Sequence, residues 1–133
     1  MKTIKVCDSF DSELNWMVGI ANGWLTYPTD SIERGLYFHI NPAIAPLGYD
    51  HNKIMVSWYR PSSDWSHGGP IVDHMIDNGY EFKRGEFGTG VKVMRFPKGD
   101  TECQFGPTLL IAAMRCYVAS KLGDKVEVPD ELD

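Results

Sequence analysis

The chain is 133 residues long, 43% hydrophobic, 23% charged and 12% aromatic, which is enough for one domain with a core and too short for two. Thirteen Lys and Arg against 18 Asp and Glu leave a formal charge of -5. That balance disfavours general DNA binding, because affinity for a duplex comes from clustered cations that release counterions. The longest apolar stretch, Leu109 to Ala119, falls well short of the roughly 20 residues of a membrane span, and the opening MKTIKV is not followed by the apolar run of a signal peptide. A cytosolic protein with no membrane partner is expected. Cys7, Cys103 and Cys116 are odd in number and lack CxxC spacing, so reduced thiols are expected rather than a disulfide framework or a zinc ribbon.

Taken in chain order, the helical spacing of Leu14, Met17, Val18 and Ala21 predicts a first helix near residues 10–22, with Ser9 or Asp11 available as N-cap and Gly23 closing it. Alternation of period two predicts a strand from Leu36 to Ile40 and a second from Lys53 to Arg60. Between them, Asn41 to Asn52 contains Pro42, Pro46 and Gly48 and reads as a loop. Pro70 is expected to open a short helix with Ile71, Val72, Met75 and Ile76 on one face and Asp73, His74 and Asp77 pointing away, stopped by Asn78 and Gly79. Tyr80 to Arg84 and Gly90 to Phe96 read as a β-hairpin. A last helix runs from about Thr108 to Lys121, with Ala112, Ala113, Cys116 and Ala119 permitting close packing and Gly123 as cap. Hairpins imply antiparallel pairing, and the helices do not alternate strictly with strands. The expected fold is therefore α+β: a single domain over residues 1–133, a mainly antiparallel sheet with a β-hairpin, covered by N-terminal, short central and long C-terminal helices.

The stretch richest in chemistry is Tyr59 to Ile71, which contains Asp64-Trp65-Ser66-His67-Gly68-Gly69-Pro70. Two glycines ahead of a helix start would let backbone amides approach a phosphate or carboxylate, so Asp64, His67, Gly68 and Gly69 are candidate ligand contacts, with Trp58 and Trp65 as a stacking wall. The competing reading is structural: Asp64 or Ser66 hydrogen-bonds the turn, Trp65 anchors it in the core, and the glycines permit the bend. Lys83, Arg84, Lys92, Arg95 and Lys98 make the hairpin basic within an acidic chain, and Lys92 and Arg95 join the candidate contacts for an anionic ligand. A solvated surface paired with the acidic C-terminal end is the alternative there. His67, Asp73 and His74 fit no zinc signature, and no nucleophile elbow or activated cysteine is present. Neither a metal, a cofactor nor a set of catalytic residues is assigned.

Asp64-Trp65-Ser66-His67-Gly68-Gly69-Pro70-Ile71, the run from Leu110 to Asp124 continuing through Val126 to Leu132, and Leu14-Asn15-Trp16 with Val18 resemble the NinX-like family of phage and prophage proteins. The resemblance covers roughly half the chain, with the loop from Asn41 to Asn52 and the basic hairpin as its points of departure. It implies a phage accessory protein of a family whose function is unknown, working in the host cytoplasm. By analogy of context, such a protein acts by binding, inhibiting or sequestering a host defence component or a nucleotide-like signal, so the expected partner is a host protein or a small phosphorylated ligand. A homo-oligomer is left open. The alternatives are a small hydrolase using Asp64, His67 and Asp73, and a nucleic-acid accessory factor for phage replication or recombination.

Overall fold

A computed structural model describes residues 2–28, 36–39, 53–85, 90–95 and 99–129. The elements in order are β1 (Lys2–Lys5), a 3-10 turn (Val6–Asp8), α1 (Asp11–Ala21), β2 (Leu25–Pro28), β3 (Leu36–His39), β4 (Lys53–Met55), α2 (Trp65–Asp77), β5 (Tyr80–Arg84), β6 (Val91–Arg95), β7 (Gly99–Gly106), α3 (Leu109–Leu122) and β8 (Lys125–Val128). The fold is α+β, as the sequence predicts. Its strands form three antiparallel sheets, β1-β8, β2-β3-β4 and β5-β6-β7, rather than one.

α3 is the centre of the molecule. It packs on α1, α2, β6 and β7, and it is buried nearly all round, from Leu110 through Val118 apart from the partly exposed Ile111. Small residues make this possible: a Cβ on Gly106 of β7 would sit 2.6 Å from the amide nitrogen of Ala112, so strand and helix backbones touch where no side chain fits. Thr108 caps the helix through its hydroxyl, which accepts the Ile111 amide at 3.1 Å, and Gly123 closes it at φ 91. The end of α1 is a Schellman motif. The amide of Gly23 (φ 89) donates to Ile20 and that of Trp24 to Gly19, as the predicted closing glycine requires.

Four local expectations are corrected. Neither Ser9 nor Asp11 caps α1: the Ser9 hydroxyl donates to the Val6 carbonyl at 2.6 Å, Asp11 is already inside the helix at φ 46, and Phe10 holds the cap position with no side-chain hydrogen bond. The strand from Lys53 ends at Met55, because Val56 to Trp58 form a turn in which the Tyr59 amide returns to the Val56 carbonyl. Pro70 does not open α2 but lies inside it, the helix beginning five residues earlier at Trp65. Ile76 does not share the buried face of Ile71, Val72 and Met75 and is exposed. The predicted hairpin is found, with Tyr80 opposite Arg95 and Arg84 opposite Val91, and a third strand, β7, extends it. The predicted loop from Asn41 to Asn52, with Glu86, Lys98 and the acidic end from Asp130 onward, lies outside the described residues. Among the described residues no helix is long and apolar enough to cross a membrane.

Candidate functional site

The candidate site is built on the turn from Val56 to Asp64, and buried or partly buried polar contacts at three places fix it. On the α1 side, the Oδ1 of Asn15 accepts both the amide of Ser62 at 3.0 Å and its hydroxyl at 2.7 Å. At the end of α1, Asn22 donates to the hydroxyl of Tyr59 at 3.1 Å and accepts from that of Tyr117 at 2.6 Å. Burial pushes the Tyr117 hydroxyl up to about 12, so it stays a donor. On the α2 side, the Arg60 amide donates to Nδ1 of His67 at 2.9 Å. Thus α1 and α2 hold the turn directly, and α3 supports it through Tyr117 and Asn22.

His67 is buried, its ring 4.4 Å from that of Trp58 and 5.5 Å from that of Tyr59, centroid to centroid. Burial lowers its pKa, against the opposing pull of Asp64. Accepting the Arg60 amide requires an unprotonated Nδ1, which places the single ring proton on Nε2. Nε2 stands 4.0 Å from Oδ2 of Asp64, beyond hydrogen-bond reach. The one lone pair of the neutral ring is therefore used by the backbone.

Asp64 is the N-cap of α2. Its Oδ1 accepts the Ser66 amide at 2.9 Å and the Ser66 hydroxyl at 2.6 Å, while its carbonyl accepts the amides of His67 and Gly68. These hydrogen bonds from Ser66, hydroxyl first, hold the carboxyl below its usual range, with His67 and Arg60 adding to the effect. This arrangement differs from the expected anion cradle: the glycines sit within the helix, the amides of Ser66, His67 and Gly68 already donate to Asp64, and its carboxylate lies at the helix start. Gly68 has another use. A Cβ there would lie 2.3 Å from the Pro61 carbonyl oxygen and 2.8 Å from Leu110, so α2 packs directly on the turn and on α3.

The indoles of Trp58 and Trp65 lie 49% and 56% exposed on this framework. Trp65 is not the core anchor of the structural reading. A Cβ at Gly69 would touch its ring at an ordinary 3.9 Å. Of the remaining candidates, Lys92 lies on β6 opposite both Lys83 and Phe105, and its ammonium stands 5.7 Å from the Phe105 ring centroid. Among the described residues no hydrogen bond or ion pair links Lys92 to the turn. Arg95 pairs in register with Tyr80, and its side chain lies outside the described residues. His67 is buried and Asp73 exposed on the same helix, so the structure does not bring together the trio Asp64, His67 and Asp73. Among the described residues no group of three His, Cys, Asp or Glu is placed to hold a metal ion.

The model of the family described as bacteriophage P22 NinX matches residues 5–121. The chain belongs to the NinX family. No curated protein matches it. The family match runs through the loop and the hairpin that the sequence sets apart as departures, and it stops before the closing Val126 to Leu132 run that carries part of the resemblance. Within this NinX domain the structure adds residues that sequence reasoning passes over. Asn15, Asn22 and Tyr117 look like ordinary helix members, and only their i,i+7 placement on one side of α1, in the case of the two asparagines, hints at a shared task. Arg115 is a cation buried in an apolar helix. Its guanidinium donates twice to the Ser9 carbonyl, at 3.1 and 2.9 Å, and once to the Phe105 carbonyl at 2.9 Å, and it lies 4.3 Å from the Phe10 ring centroid.

Proposed function

We propose that this NinX-family chain is a phage accessory protein that acts by binding a host protein, a defence component being the class of partner that suits such a factor, through the surface of Trp58 and Trp65. The observation that carries the reading is the exposure of Trp58 on the turn and of Trp65 at the start of α2, on a support whose backbone is held by Asn15 and His67 and whose Tyr59 hydroxyl is held by Asn22. Large aromatics on a rigid support lose little conformational freedom on docking, and Trp and Arg dominate the energetics of protein interfaces. Arg60 lies exposed on the same turn. A phosphorylated small molecule at the start of α2 is disfavoured by the Asp64 carboxylate. The hydrolase reading loses its base, since the His67 lone pair is held by the Arg60 amide.

The test is affinity purification from host extract followed by reconstitution from purified components, with the wild-type chain and the Trp58→Ala/Trp65→Ala double variant. A stoichiometric complex formed by the wild type and lost by the double variant at unchanged melting temperature is expected. Equal binding by both chains, or a small phosphorylated ligand retained in native mass spectrometry in place of a protein, overturns the reading.

A further inference from the structure

A second surface, on the β5-β6-β7 sheet, carries its own chemistry. The registers of β5-β6-β7 place Lys83 opposite Lys92 and Lys92 opposite Phe105, so these three residues form one row across the sheet. The row spans about 10 Å at the usual strand spacing. It lies on the face away from α3: the alternate residues Val91, Val93 and Gly106 are buried, whereas Lys83 and Phe105 are exposed. Arg84, also exposed, follows Lys83, and Glu81 lies one row along the same face, opposite Met94.

Two features of this row oppose stability in the isolated chain. Like charges directly opposite on neighbouring strands repel. Phe105, 61% exposed, is the most exposed large apolar side chain among the described residues. The Lys92 ammonium stands near the outer limit of cation–π attraction, so moving it off the ring costs little. An anion between the lysines and a flat apolar group on the ring would relieve both.

We propose that the row Lys83–Lys92–Phe105 binds single-stranded nucleic acid, a base stacking on Phe105 and backbone phosphates lying on the two lysines. The charge and the ring select this occupant together. An unstacked base offers a π-face to an open sheet, as in sheet and barrel folds that hold single strands. A duplex hides its base faces in the stack and leaves the exposed Phe105 ring unused. A purely acidic peptide satisfies the lysines and leaves Phe105 unused. The site is independent of Trp58 and Trp65.

Fluorescence anisotropy of a labelled oligothymidylate with the full chain, titrated between 50 and 200 mM salt, tests the proposal. The wild type is expected to bind, with affinity falling as salt rises. Phe105→Ala is expected to weaken binding roughly tenfold or more. Lys83→Gln/Lys92→Gln is expected to lower the log–log salt slope by about 1.4, as the loss of two phosphate contacts on a single strand requires. Trp58→Ala/Trp65→Ala should bind like the wild type. Phe105→Leu, which keeps an apolar side chain but no ring, serves if the alanine variant does not fold and should be weakened similarly. No binding by the wild type at 50 mM salt, equal binding by the Phe105 variants, or equal competition by polyglutamate of matched charge overturns the proposal.

Discussion

Asn15 accepts two hydrogen bonds from Ser62 through a single oxygen, at 3.0 Å from the amide and 2.7 Å from the hydroxyl, across 47 residues of sequence. Both groups are buried, so removing the acceptor leaves two donors without a partner. Asn15→Leu is expected to cost about 3 kcal/mol, because each buried polar group left unpaired costs about 1–3 kcal/mol. Ser62→Ala removes only the hydroxyl and keeps the amide bond, so about 1 kcal/mol is expected. Urea unfolding of the two variants measures the difference, and equal losses would contradict the role given to Asn15.

Neighbouring glycines in α2 give the same substitution opposite weights. Gly68→Ala drives a methyl group to within 2.3 Å of the Pro61 carbonyl, a backbone atom that can move only with the whole turn. A loss of about 2–3 kcal/mol is expected, in the range of overpacked cores. Gly69→Ala meets only the Trp65 ring at 3.9 Å. Its gain in helix propensity of about 1 kcal/mol is offset by the clash of a Cβ with the ring of the following proline, so the net change should stay within about 1 kcal/mol. Thermal melting of both variants separates these outcomes.

His67 makes stability depend on pH with a defined sign. The folded state lowers its pKa below the ordinary 6.5, burial being the first cause. Between the folded value and 6.5 the unfolded chain binds more protons. The stability supplied by neutral His67 is therefore complete above about pH 6.5, falls as pH drops below it, and is gone once pH has passed the folded value. His67→Asn removes this titration. The difference in unfolding free energy between the wild type and His67→Asn should shrink from about pH 7.5 to about pH 5; a constant difference would show that the Arg60 amide does not depend on a neutral ring.

The long helices and the hairpin were legible because each is set by local signals that the tertiary structure does not contradict. Thr108 and Gly123 mark α3, Gly23 ends α1, and the hairpin between Tyr80 and Arg95 follows from two short runs joined by a glycine-containing loop. The start of α2 was misread because Pro70 suits a first helical position, yet the helix passes through it. Gly69, without a Cβ, removes the clash that keeps most residues before a proline out of a helix, and the Asp64 cap is supplied earlier. β7 was missed because GDTECQFG shows no apolar alternation and owes its strand form to pairing with β6. The segment from Trp58 to His67 stood out in composition, and the turn and the start of α2 bring Trp58 against His67, but its wiring was illegible. Lys92 belongs to another sheet face, and the partners of Asn15 and Asn22 are separated from them by tens of residues.

Arg115 shows the same limit most sharply, since its partners Ser9 and Phe105 lie 106 and 10 residues away. Burial lowers its pKa, partly countered by Cys7 and Asp8, and the guanidinium still serves two carbonyls in different elements, the segment before α1 and the end of β7. Arg115→Met keeps the apolar stem and deletes the three donors, which leaves both carbonyls unpaired against α3. A loss of about 3 kcal/mol is expected. Arg115→Lys retains the charge but not the planar fork, and a single ammonium does not reproduce the geometry to Ser9 and Phe105 together. Lysine is therefore expected to recover less than half of that loss in urea unfolding, and full recovery would mean that charge alone, rather than the fork, ties β7 to the start of α1.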